Sequence, residues 1–145
     1  MEQKKQKLSK NQKSSKKPLD FIYYKKSELY PISIVIACGN VNTKLEKRYK
    51  YIPPSAVNDG AEASETRLEN TETHECEVLI HFKNIKMMSA GIIAHECAHA
   101  AIDIFEWISE KVSADCQEPF TYLIEYIVNL CIDCKENNIK SFKKL

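Results

Sequence analysis

The sequence predicts an α+β domain. Two observations carry this. Short β-branched runs occupy the first 82 residues, and two long helical runs occupy the rest. Strands that precede helices, rather than alternate with them, point to helices gathered against one small sheet. At 145 residues the chain is long enough for one core and too short for two.

The N-terminus is set apart by composition. Residues 1–26 hold nine Lys against Glu2 and Asp20, a net of +7, which leaves −6 on the remainder. No aromatic precedes Phe21, and Gln, Asn and Ser fill the gaps. Such a segment cannot bury enough apolar surface to offset its ordering entropy, so residues 1–18 are expected to be a disordered tail. A solvated tail is the plain reading, and weak contact with a polyanion is the functional one. Residues 19–145 form the expected single domain.

Tyr30 to Ala37, Y-P-I-S-I-V-I-A, is β-branched and apolar and reads as a strand. Asn42 to Lys50 is polar with Leu45 and Tyr49 at i, i+4, which suggests a short surface helix or an irregular crossover. Pro53-Pro54 and Asn58-Asp59-Gly60 mark a break and a turn. Ala63 to Leu68 fits an edge strand. Thr73 to Phe82 alternates and then becomes solidly apolar, so it is a second strand. Cys76, Val78, Ile80 and Phe82 then share one face with His74, and His81 takes the other. Neither histidine is assigned a role.

From Met88 to Lys111 the chain reads as a helix, with no Pro or Gly between Ile92 and Ile108. Ile93, Cys97, Ala100, Ile104 and Ile108 make its apolar stripe. Inside it stands His95-Glu96-Cys97-Ala98-His99. Residues at i and i+4 share a helix face, so both imidazoles can reach one metal ion. Glu96 lies about 100° around, where it can reach a water held by that ion. Zinc accepts neutral imidazoles and keeps a position open for such a water, and Glu96 fits a general base. The plain alternative is a helix whose two histidines are satisfied by hydrogen bonds. Asp103, one turn after His99, can orient a ligand histidine or simply face water.

A second helix is expected from Pro119 to Cys134, with proline in its first turn. Leu123, Ile127, Leu130 and Cys134 line its buried side. Glu118, Tyr122, Glu125 and Asn129 form a polar stripe, which a metal between the two helices would explain. Asn137-Asn138 is expected to end the helix and Lys140 to Leu145 to form a basic tail. Cys131-x-x-Cys134 has no matching second pair, so these read as packed thiols. Six cysteines, no apolar leader and no membrane-length run suggest a reducing cytoplasm.

His95, Glu96, His99 and Asp103, followed by Glu118 nineteen residues after His99, resemble the zincin metallopeptidases, and their gluzincin branch in particular. The chain also resembles small single-domain phage and prophage proteins with H-E-x-x-H-A followed by E-x-x-x-Y-L-x-E-Y-I, here Glu118 to Ile127. The resemblance covers about Gly91 to Asn129. It implies a zincin-like fold with about three strands, one zinc ion held by His95, His99 and Glu118, and Glu96 as catalytic base. Peptide or protein would be the substrate, added to the sheet edge beside the motif helix. Glu125 is the rival third ligand, and Tyr122 is the nearest donor to a transition state. The chain has no room for the second domain of the large zincins. A non-catalytic zinc module of the same fold is therefore the alternative reading.

Overall fold

A computed structural model of the chain describes residues 18–49 and 60–143. The elements are β1 (Phe21–Lys26), β2 (Ser33–Cys38), α1 (Asn42–Arg48), β3 (Ala63–Glu69), β4 (Cys76–Phe82), a short 3-10 turn (Ile85–Met87), α2 (Ala90–Trp107) and α3 (Glu118–Lys143). The protein is α+β, with one four-stranded mixed sheet in the order β1-β2-β4-β3. β2 and β4 run parallel in the centre, and β1 and β3 pair antiparallel at the two edges.

The central strands are buried on both faces, which is why they read as unbroken apolar runs. One face, with Ile34, Ile36, Val78, Ile80 and Phe82, packs on α2 and α3 through Ile93, Cys97, Ile104, Leu123 and Ile127. The other face carries Val35, Ala37 and Leu79 against Val41, Leu45 and Tyr49 around α1. The molecule therefore has three layers, with α1 on one side and the two long helices on the other.

The edge strand Ala63–Glu69 and the helix at Asn42 agree with the sequence reading. The turn signal before Gly60 and the Lys-rich segment lie outside the described residues, apart from Pro18 and Gly60 themselves. Several boundaries differ. The first apolar strand spans Ser33–Cys38 rather than Tyr30 to Ala37, and the motif helix spans Ala90–Trp107 rather than Met88 to Lys111. β1 makes the sheet four-stranded rather than three. It is an edge strand with only Phe21 fully buried and Lys25 and Lys26 at its end, so it lacks an apolar run. The second strand begins at Cys76 rather than Thr73. Asn70 Oδ1 accepts from Glu72 N and Thr73 N at 2.9 and 3.1 Å, and His74 takes a left-handed φ of 57°. His74 is thus in the turn and does not share a strand face with Cys76.

The last helix runs to Lys143, so Asn137-Asn138 does not end it and the expected basic tail is helical through that residue. Asn138 Nδ2 turns back to Cys134 O at 2.8 Å, and Ser141 Oγ does the same to Asn137 O at 2.9 Å. These short polar side chains bond within the helix instead of breaking it. No helix among the described residues is long and apolar enough to cross a membrane.

Candidate metal centre

Ser89 caps α2 by accepting from Ile92 N at 3.4 Å, and the helix then runs unbroken through the motif. Its core face buries Ile93, Cys97, Ala100 and Ile104, so the opposite face, with His95 and His99, is exposed. The two rings meet edge to face, 77° between planes, with Nε2 to Nε2 at 3.2 Å. Two nitrogens each ~2.0–2.1 Å from a tetrahedral zinc stand about 3.3–3.4 Å apart. The separation of the pair therefore matches that of two zinc-bound nitrogens. Without one, a ring in the Nε2–H tautomer donates to its neighbour at the same distance.

Glu96 points to a different side of α2 and is 8% exposed. Burial pushes its carboxyl above the ordinary value, and His95 and His99 pull it back. Among the described residues no hydrogen bond occupies this carboxylate. Beside it opens a groove of about 430 Å³, lined by Glu62, Ala63, Gly91, Ile92, His95 and Glu96. One wall is the start of β3 and the other is the first two turns of α2. Among the described residues β3 pairs only with β4, and just past its end Asn70 bridges to Tyr49.

No protein-family model matches the chain, and no curated protein and no solved structure is significantly similar to it.

The structure brings His95, Glu96 and His99 together and leaves Glu118 apart. Among the described residues no three His, Cys, Asp or Glu side chains converge as a metal cage. Glu118 is exposed at the tip of α3. Phe120 packs edge to face on Phe105, ring centres 5.3 Å apart, which fixes that tip near the end of α2. Phe105 is six residues beyond His99, about 9 Å along the axis at 1.5 Å per residue. Tyr122, Glu125 and Asn129 are also exposed, on the face of α3 opposite Leu123, Ile127 and Cys131. The polar stripe therefore faces away from α2 and does not line a space between the helices. Asp103 accepts from Arg67 Nη1 through its carbonyl at 3.2 Å, and no hydrogen bond joins its carboxylate to an imidazole.

One residue near the site escapes a sequence reading. Glu65 on β3 pairs in register with Ile80, so its side chain falls on the α2 side of the sheet. Its Oε1 is buried without a hydrogen-bond partner. Burial, then the carboxylates of Asp103 and Glu96, push it up to about 8, against a smaller pull from Arg67. The segment A-S-E-T-R-L-E carries no apolar alternation that would reveal which way Glu65 points.

The other histidines and the thiols have structural places. His81 is fully buried and donates from Nε2 to Gly39 O at 2.8 Å. Cys97 and Cys131 bring α2 and α3 together, Sγ to Sγ 3.8 Å. Burial pushes Cys134 up to about 12, as suits a packed thiol.

Proposed function

We propose that the chain is a zinc-dependent peptidase with a zincin-like active-site helix. The observation that carries the reading is the Nε2 pair at 3.2 Å, next to an unengaged carboxylate, at a groove between β3 and α2. His95 and His99 would hold the ion. When bound, zinc supplies Lewis acidity toward a carbonyl and lowers the pKa of a water.

The chain's own residues supply the remaining functions. β3, which pairs only with β4 among the described residues, would offer its outer N–H and C=O groups to an extended peptide lying across the groove past His95. Glu96 is buried beside the groove, carries a raised proton affinity and has no competing hydrogen bond among the described residues, so it suits a base that takes a proton from water and returns it to a leaving amine. Ile92 and Ala63 provide the apolar part of the groove and limit water there. The resemblance implies Glu118 as a third ligand, but Glu118 is exposed at the tip of α3, apart from the pair.

The test has two arms. Protein purified without added metal should carry about one zinc per chain, lost in His95→Ala and His99→Ala. Digests of casein and of a peptide library should show cleavage that a chelator stops. Glu96→Gln should keep the zinc and the fold while slowing cleavage at least ~100-fold. A wild-type protein without zinc, or a Glu96→Gln protein that cleaves at the normal rate, sinks the reading.

A further inference from the structure

We propose that Glu65, reaching from edge strand β3, is the third protein donor to the ion held by His95 and His99. The inference rests on the metal-site reading above and names a ligand that the motif does not contain. Its basis is the position and condition of this one carboxyl group.

The position follows from its neighbours. Two residues before Glu65 on the same strand face, Ala63 lines the groove with His95 and Glu96, and two residues after it Arg67 Nη1 donates to Asp103 O at 3.2 Å. On α2 these points bracket His99, so Glu65 lies across from α2 at about that level. Its register opposite Ile80 turns it toward α2 rather than toward α1. Phe120, two residues after Glu118, packs on Phe105, about 9 Å beyond His99 along α2, and Glu118 itself is exposed. Glu65, by contrast, stands on a strand whose register already turns it toward α2.

The condition of the group points the same way. A buried carboxylate oxygen without a donor is costly, and native proteins rarely leave one without a compensating ion or partner. Here the neighbours make matters worse, because Glu96 and Asp103 are also acidic. Arg67 does not reach Glu65 with a hydrogen bond, and its Nη1 donates to the Asp103 carbonyl instead. Arg67 offsets this charge only in part, and an ion at the imidazole pair would add positive charge.

Zinc affinity of the full chain at pH 7, measured by competition with a chromophoric chelator, tests the assignment beside thermal melts of the metal-free protein. Glu65→Gln should weaken zinc at least about tenfold, while its metal-free melting temperature rises. A residue that only supports the fold would not give these opposite signs. Glu65→Asp keeps the charge with a shorter reach and should fall between. Glu118→Ala should stay within about twofold of wild type. Glu65→Gln binding zinc as tightly as wild type overturns the assignment. So does Glu118→Ala losing the ion. If His95→Ala also loses zinc in either case, the proposed function still stands. A wild type that binds no zinc removes both.

Discussion

Glu77 and Glu65 stand on neighbouring strands of one sheet, on opposite faces, with carboxylates in opposite circumstances. Glu77, 1% exposed, faces α1. Arg48 binds it with two hydrogen bonds of 2.7 and 2.8 Å, Tyr49 Oη donates at 2.7 Å and Asn70 Nδ2 at 3.1 Å. Tyr24 stacks under the same guanidinium, 4.7 Å from its ring centre. Glu65 faces α2 with a buried oxygen that nothing donates to, beside two further carboxylates. The chain therefore can satisfy a buried carboxylate, and on one face it does so fully. Leaving the other unsatisfied, on the face that packs on the helix of the His pair, is what the proposed function would require, since active sites give up stability for chemistry.

The largest break in this contrast should come at Glu77. Burial alone would push its carboxyl up. The donors of Arg48, Tyr49 and Asn70, with the charge of Arg48, overcome this and hold it below the ordinary 4.5. Glu77→Ala leaves a guanidinium, a phenol and an amide facing a gap, and should cost roughly 3–5 kcal/mol by chemical denaturation. A group held low in the folded state stabilises above its unfolded value. That contribution is present at neutral pH and lost as pH falls through the lower folded value. Wild type should therefore lose stability on acidification below about 4.5, and Glu77→Gln should lose much less. Parallel acid profiles for the two proteins would show that Glu77 is not the group responsible.

The same contrast explains what the sequence made legible. Ile34 to Ala37 and Val78 to Phe82 are buried on both faces, so their runs announce the central strands. The motif is legible because a helix places His95 and His99 together by local spacing alone. β1 is only half buried and carries Lys at its end, so its strand character depends on pairing with β2. Glu65 reaches the motif only through the register of β3 on β4 and the packing of α2 on that sheet. Neither is encoded within a few residues of Glu65. The end of α3 was misleading for a related reason, since Asn137 and Asn138 stop helices only where nothing rewards continuation. Here Lys135 Nζ anchors the helix to Met88 O at 2.6 Å just before them.

A smaller effect of opposite sign is expected at Glu65 in the metal-free protein. Its folded carboxyl is pushed up to about 8 from an ordinary 4.5. Below about 4.5 both folded and unfolded chains hold the proton, and Glu65 makes no difference. Between these values the unfolded chain ionises while the folded chain resists, so stability falls as pH rises. Glu65→Gln removes that slope. The variant should match wild type at pH 4 and exceed it by about 1 kcal/mol at pH 8, a modest figure because solvent partly screens the group. Melting curves across this range check it. An advantage for Glu65→Gln at pH 4 as large as that at pH 8 would mean that packing, not charge, is at issue.

The smallest effect belongs to a third glutamate of the same sheet, which calibrates the other two. Glu69 ends β3 and meets His74 Nδ1 at 2.8 Å, but the two side chains are 68% and 76% exposed. Water and salt screen such a pair, and holding two side chains in place offsets what remains. Glu69→Gln should change stability by no more than about 0.5 kcal/mol, with no added effect in 1 M salt, where the screening length is ~3 Å. The turn that holds this pair depends more on its backbone. His74 adopts φ 57°, a conformation that costs a residue with a Cβ, and glycine adopts it freely. His74→Gly therefore removes the hydrogen bond to Glu69 and relieves the backbone together, and should leave stability level or slightly higher. If Glu69→Gln instead costs more than about 1 kcal/mol, exposure is a poor guide to the worth of carboxylates on this sheet. The ranking of Glu77, Glu65 and Glu69 by burial and partners would then fail as a whole.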